Sequence, residues 1–315
     1  MTTSGTSTFS RNRDQLIASA LRKIGAFESG ETPDSAAVTE ASDALNVMVK
    51  HWQASGIEIW RTREAILFPQ IGQERYSLGT ASTDHATEVW VETELSSAAL
   101  SGATSIVLSS VTGVVNAYNI GVTLDDGTLH WTTVSGAPVG STVTLALALT
   151  DSAALGNRVI AYQTNLVRPL RVIDARRYNM DSAIDTPVEE MDRLEYQDLP
   201  NKTSAGAVNQ YYYDRRENSL GYIYLWPSPA SVNEAIKMTV ARPIDDFTAA
   251  GDDADLPQEW IRAIEWGLAD ELADEYDVPE PKRTRIERRA AQYLQEANWY
   301  ERELVTLEFV PDNGR

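Results

Sequence analysis

The side chains able to do chemistry in this sequence are few in kind and scattered. Three histidines are present, His51, His85 and His130, each in a different stretch. None stands at the short helical spacing that lets two imidazoles hold one zinc ion. His51 closes a helical pattern and His130 sits beside Trp131 in an extended one, so both read as structural. The absence of cysteine removes thiolate nucleophiles, cysteine metal sites and disulfides. No GxSxG elbow, phosphate-cradling glycine loop or dinucleotide fingerprint occurs. Asp125 and Asp126 start like a calcium loop, but the ligand spacing is not completed, and Asp126-Gly127 is a turn sequence.

Carboxylates are plentiful, with 46 acidic residues beside 8 Trp and 13 Tyr. Aromatic rings that stack on sugars and two carboxylates flanking a glycosidic bond would make a glycan hydrolase. Glu189, Glu190 and Asp192, next to a tyrosine-rich hairpin, are the candidates for that chemistry. Any chain this acidic offers such pairs, and nothing here sets an acid and a base across one bond. The expectation is a protein that is not an enzyme, with no catalytic, cofactor-binding or metal-ligating residues.

Against those 46 acids stand 27 basic residues, a net charge of −19. Nucleic-acid affinity rests on displacing counterions with Lys and Arg, so this chain is not expected to grip DNA. The charge serves solubility, or makes a repulsive wall along which DNA passes without sticking. With 43% hydrophobic residues a buried core is within reach, and 315 residues leave room for two domains at ~150 residues each. No apolar run of about 18 residues occurs, so no membrane span is expected. The start, MTTSGTSTFS, is polar and small, an expected arm rather than a secretory signal.

The elements that must position these groups are helical at both ends. A first helix, about Ser10 to Phe27, puts Leu16, Ile17, Ala20, Leu21 and Ile24 on one face. A second is expected to be capped by Thr32 with Pro33 at its first position. Its stripe of Val38, Ala41, Leu45, Met48 and Trp52 ends at Gly56, and Ile57, Ile59 and Trp60 then read as extended chain. A third helix follows LPQEW, with Ile261, Ile264, Leu268 and Leu272 inward, and is broken by Pro279 and Pro281. A fourth runs from about Lys282 with Ile286, Ala290, Tyr293, Ala297, Tyr300 and Leu304 in steps of four and three. Its other face carries Arg283, Arg285, Arg288 and Arg289.

Between the helical ends the chain is β-rich. From Glu88 to Gln163 short strands alternate with Gly, Ser and Asp turns, and TLDDGTLHWTTV is a strong hairpin signal. In TVTLALAL, Val143, Leu145, Leu147 and Leu149 are expected to share one strand face. Composition shifts near Thr87 and Thr164 mark residues 88–164 as an inserted β domain. Residues 1–87 and 165–315 then form the core, with 1–9 and 305–315 as terminal arms. A short helix in EEMDRLEYQDL precedes a hairpin joining NQYYYDRR to GYIYLWPSP. Its Tyr211, Tyr212, Tyr213, Tyr222, Tyr224 and Trp226 read first as cross-strand packing, then as a partner contact, last as a sugar site. Val305, Leu307 and Phe309 alternate in a final strand that has no neighbour in sequence to pair with.

The order of these segments resembles the head-to-tail adaptor (connector) proteins of short-tailed bacteriophages, also described as tail tubular protein A or packaged-DNA stabilisation protein. The likeness runs from ALNVMVKHWQASGIEIW through ERYSLG at Glu74 to Gly79 and RLEYQDLPNKTSAG to the hairpin NQYYYDRR with YIYLWPSP. It ends on a strand with ARP, an acidic stretch and LPQEWIRAIEWGLADELADEYDVPE. It covers most of the chain outside the insertion, which is itself similar to small β modules of related virion proteins.

That resemblance implies an α+β fold: a helical bundle of two N-terminal and two C-terminal helices, an antiparallel β part, and an inserted small all-β barrel or sandwich. It implies a homo-oligomeric ring, a dodecamer, in the virion neck between portal protein and tail nozzle, assembled in the host cytoplasm. Genomic DNA would cross its channel without specific binding, and the insertion would decorate the outer wall or touch tail fibres. Portal docking falls to Val305, Leu307 and Phe309, with Arg283, Arg285, Arg288 and Arg289 either meeting the portal or compensating the acidic helix before them. Packing within or between subunits falls to Val38, Leu45, Met48, Trp52, Trp60, Tyr211, Tyr213 and Trp226. Another neck or nozzle ring component, or a virion-associated cell-wall glycan hydrolase, is the alternative.

Overall fold

The computed structural model describes residue 5 and residues 8–28, 30–55, 62–216 and 219–300. Trp60, Val305, Leu307 and Phe309 lie outside them. The protein is α+β and divides into two compact units, one from residues up to 61 with those from Ile244 on, the other Thr62–Pro243. The compositional boundaries near 87 and 164 fall inside the second unit.

The first unit is helical. Helix α1, Arg13–Ile24, begins with a capping box in which the Asn12 carboxamide accepts from the Gln15 N–H and the Gln15 side chain reaches back. Helix α2 is Ser35–Ala54, and its cap is Asp34, whose carboxylate accepts from the Ala37 N–H at 2.7 Å. The expected cap at Thr32 is displaced because Asp34 offers a charged acceptor directly before Ser35, so Pro33 precedes the cap instead of taking the first helical position. A 3₁₀ turn at Gln258–Trp260 leads into α4, Ile261–Glu275, numbered after the short α3, Arg193–Asp198, of the second unit. Helix α5 spans Glu280–Tyr300. Helix α4 thus ends before Pro279 and Pro281, and Pro281 lies within the first turn of α5, where its missing amide hydrogen has no intrahelical acceptor.

Leu16, Ile17, Leu45, Met48, Trp260, Ile264, Leu268 and Ile286 meet in one buried core, with Trp52 inclined on Trp260 at 5.8 Å. Gly267 makes the α2–α4 approach: a Cβ there would stand 2.7 Å from the Trp52 ring and 2.9 Å from the Met48 sulfur. Beneath α1, Glu265 is buried between Arg11 and Lys23, with Lys23 Nζ 2.7 Å from Oε2. Burial lowers the Lys23 pKa, against the pull of the Glu265 carboxylate.

The second unit is built on an eight-stranded sheet. Its strands are β1 (Thr62–Leu67), β2 (Arg75–Leu78), β3 (Ala86–Thr87), β10 (Arg171–Asn179), β11 (Ile184–Glu190), β13 (Gln210–Asp214), β14 (Gly221–Trp226) and β16 (Glu234–Ala241). Their spatial order is β2-β14-β13-β11-β10-β16-β1-β3. Strands β12 (Ala205–Gly206) and β15 (Ser228–Pro229) pair separately. The β part is not wholly antiparallel: β11 pairs parallel with β13, and β12 with β15. One face of the sheet is a core of Leu67, Tyr76, Tyr211, Tyr213, Ile223, Leu225 and Met238.

Strands β4 (Val91–Glu94), β6 (Asn119–Thr123), β7 (Leu129–Thr133) and β9 (Arg158–Tyr162) make a four-stranded sheet, and β5 (Ser105–Val107) pairs with β8 (Thr142–Thr144). They enclose Leu95, Ile106, Ile120, Val122, Val143, Leu145 and Val159. The Asp126-Gly127 turn joins β6 to β7, and the Asp126 carboxylate accepts from the Thr128 N–H and hydroxyl. Leu147 departs from expectation: β8 stops at Thr144, the chain bends, and Leu147 is 62% exposed while Val143, Leu145 and Leu149 are buried. The chain leaves and rejoins the large sheet at one place, where the Leu166 N–H donates to Ala86 O and the Thr87 hydroxyl to Thr164 O.

Candidate interaction surfaces

The histidines do not converge on a site. His51 is exposed at the end of α2. His85 stacks on Trp131, and its Nδ1 lies 2.7 Å from the Tyr162 oxygen. The Tyr162 hydroxyl donates to Asn165 Oδ1 at 2.8 Å, so His85 Nδ1 is the donor to Tyr162 and the ring carries its proton there. Burial pushes the His85 pKa down to about 4, with the neighbouring Asp84 carboxylate opposing, which leaves the ring neutral at pH 7. His130 is half-buried with Nδ1 3.3 Å from the Thr150 hydroxyl, and burial lowers its pKa too. Among the described residues no group of three His, Asp or Glu is arranged to hold a metal ion.

The carboxylates singled out for glycan chemistry are held apart. Glu189 and Glu190 are consecutive residues of β11 and point to opposite faces. Asp192 is the N-cap of α3, accepting from the Glu195 N–H at 2.8 Å. A cleft of about 300 Å³ opens on the large sheet beside Trp90 and Tyr178. Ion pairs run along it: Arg176 with Asp174 at 3.0 Å, Lys237 with Asp185 at 3.3 Å, and Glu92 with Arg158 at 2.6 Å.

The aromatic hairpin separates into two sets by strand alternation. Tyr211 and Tyr213 point into the sheet core, and the Tyr213 hydroxyl donates to Pro169 O at 2.6 Å. Tyr212 and Tyr224, paired across β13 and β14, stack at 5.6 Å on the other face and are covered by Tyr196 of α3. Beside them the Arg75 and Arg216 guanidinium groups both lie over the Tyr222 ring, at 5.2 and 5.1 Å. Trp226 is half-buried, its Nε1–H donating to Asn201 O at 3.0 Å.

On the helical unit, Leu45, Met48 and Trp52 lie in the core with Val38 packed partly against it. The arginines of α5 fall into two kinds. Arg283 forms an ion pair with Asp274 of α4, and the Arg289 guanidinium lies over the Trp266 ring at 4.9 Å. Arg285 and Arg288 are exposed. Further along the same helix Trp299 is 69% exposed. Across the unit, α2 and α4 border a groove of about 670 Å³ lined by Glu40, Asp43, Ala44, Val47, Glu271 and Glu275.

The Arg11–Glu265–Lys23 cluster and the His85–Trp131 stack have no counterpart among the sequence motifs. Each joins residues far apart in the chain, and neither leaves a local spacing to find. Gly267, inside a strong helical stripe, is the signal that would have pointed to the close α2–α4 approach.

Among the described residues no helix is long and apolar enough to cross a membrane. No curated protein matches the chain. Residues 123–306, more than half of the sequence and reaching from β6 beyond the end of α5, match the family described as SU10 adaptor protein. The chain belongs to that family and is a phage structural adaptor protein.

Proposed function

We propose that the protein is the head-to-tail adaptor of a phage neck: a ring of twelve copies docked beneath the portal, helping to retain packaged DNA and forming the platform for the tail nozzle. The family match over residues 123–306 carries this assignment. The helical unit acts as a bundle that supplies the ring wall, and the β-rich stretch 88–164 is a small barrel inserted within the second unit. A ring of identical copies needs a heterologous contact, in which one patch meets a different patch on the next copy. Val305, Leu307 and Phe309 dock the portal by adding a strand to an exposed sheet edge.

The net charge of −19 acquires a use if acidic side chains line the channel. They repel phosphates over a screening length of about 8–10 Å at ordinary salt, so DNA slides through rather than binding. Electron microscopy of the protein mixed with its portal tests the assignment. Rings of this chain seated under the portal, with an acidic lumen, are expected. A chain that stays single in the presence of portal would overturn the adaptor reading, and a basic lumen would remove the sliding mechanism.

A further inference from the structure

Among the described residues, two unlike helix faces of the 1–61/244–315 unit are left uncovered, and their chemistry is complementary. The first is the α2–α4 groove. Carboxylates alone would be a solvated face, but this groove has an apolar floor. Ala44 is half-buried in it, and Val47, in the middle of a helix, lines it at 67% exposure together with Asp43 and Glu271. Burial first, then the Glu40, Asp34 and Glu275 carboxylates raise the pKa of nearby Tyr276, so the negative field here is local as well as formal.

The second face is on α5. Arg285, Arg288, Gln292, Gln295 and Trp299 follow one another at steps of three, four, three and four, the spacing of a seam that packs against another helix. The inward stripe of the same helix, Ile286, Ala290 and Ala297, is already buried in the unit. The outer stripe carries two guanidinium groups at its start, two carboxamides and a 69% exposed indole, with Glu296 beside it accepting from the Gln292 carboxamide at 2.8 Å. In a chain of net charge −19 that is an exceptional face to leave in water. Arg283 and Arg289 are engaged within the unit, so the positive charge left over is that of Arg285 and Arg288.

We infer that the α2–α4 groove of one copy receives the Arg285–Trp299 stripe of α5 from the next copy, and that this is the heterologous contact that closes the ring. The inference rests on the adaptor reading and gives its subunit contact an address. The four carboxylates meet Arg285 and Arg288, while the indole of Trp299 covers the floor made by Val47 and Ala44. Charge steers the encounter and sets the register, and the apolar floor supplies the hold. Because the two faces lie on different helices, each copy offers one and accepts one.

The lack of cysteine makes the test direct. The full-length V47C/W299C protein, oxidised at low salt, is expected to give a ladder of dimers, trimers and higher multimers on a denaturing gel, because each disulfide joins one copy to the next. Mixed single variants V47C and W299C should stop at one mixed dimer. The ladder should weaken in about 1 M salt, where the screening length falls to ~3 Å. It should be lost in R285E/R288E and return when E271K/E275K is added. No ladder, or one equally strong from V47C/E287C, whose second cysteine lies off the stripe, overturns the contact. So does cross-linking of W299C to portal instead of to a second copy. Rings seen by microscopy without the cross-link would sink this contact and leave the adaptor reading standing. A ladder that builds only open filaments would leave the groove–stripe contact standing but overturn both its ring-closing role and the adaptor reading.

Discussion

His85 and Trp131 lie ring on ring, their centroids 3.8 Å apart and their planes 12° from parallel. His85 belongs to the segment that leads into β3 of the large sheet and Trp131 to β7, so one stack ties the β-rich stretch to the frame that carries it. Tyr162 stands edge-on to both rings, and Phe68 lies 5.8 Å from Trp131. Trp131→Ala is expected to cost about 3 kcal/mol by removing this shared contact, in the range measured for large aromatic deletions. Urea unfolding followed by tyrosine fluorescence checks it, with a lower midpoint and an unchanged slope expected.

The same stack makes stability depend on pH. The folded-state pKa of His85, about 4, lies below its ordinary 6.5, so between those values the unfolded chain binds the proton that the folded chain refuses. The stabilisation is complete above pH 6.5 and is lost as the pH falls toward 4, on the order of 3 kcal/mol in all. Thermal melts between about pH 7.5 and 4.5 should show that loss, and His85→Phe should flatten it.

Gly121 pairs with Trp131 across β6 and β7, and a Cβ there would stand 2.8–2.9 Å from three atoms of the indole. Gly121→Ala should therefore displace the ring from His85, costing about 1–3 kcal/mol as an overpacked site. A shift in tryptophan fluorescence should accompany the lower melting point, and a Gly121→Ala protein with both unchanged would show that the indole can step aside freely.

Glu265 is the common partner of Arg11 and Lys23. Glu265→Ala leaves Lys23 buried without its counter-charge and should cost about 3–5 kcal/mol. Replacing the group together, as R11M/K23M/E265L, should recover most of that loss, because no unpaired charge is left inside. Denaturant midpoints of the two variants separate an ion cluster that merely tolerates burial from one on which the helical unit depends.

Ending the chain after Leu304 should leave the helical content unchanged by circular dichroism while abolishing attachment to portal-containing heads. Truncated protein that still completes particles would remove residues 305–315 from the docking mechanism.

Periodicity alone determined the helical ends of this protein. Leu16 to Ile24, Val38 to Trp52, Ile261 to Leu272 and Ile286 to Ala297 repeat at three and four because one side of each helix must leave water, and that demand is written locally. The hairpins at Asp126-Gly127 and between Tyr213 and Tyr222 were legible for the same reason, as turn chemistry and alternation act over a few residues. What the tertiary structure decided is everything that closes over distance. Strands β11 and β13 pair in parallel, Leu147 turns outward where its strand stops, Glu265 collects two cations from α1 and the residues before it, and His85 finds Trp131. Which carboxylates share a groove, and which arginines are already engaged, was settled in the same way. Coulomb and stacking energies depend on separation in space, and separation along the chain says nothing of that until the helices and sheets have packed.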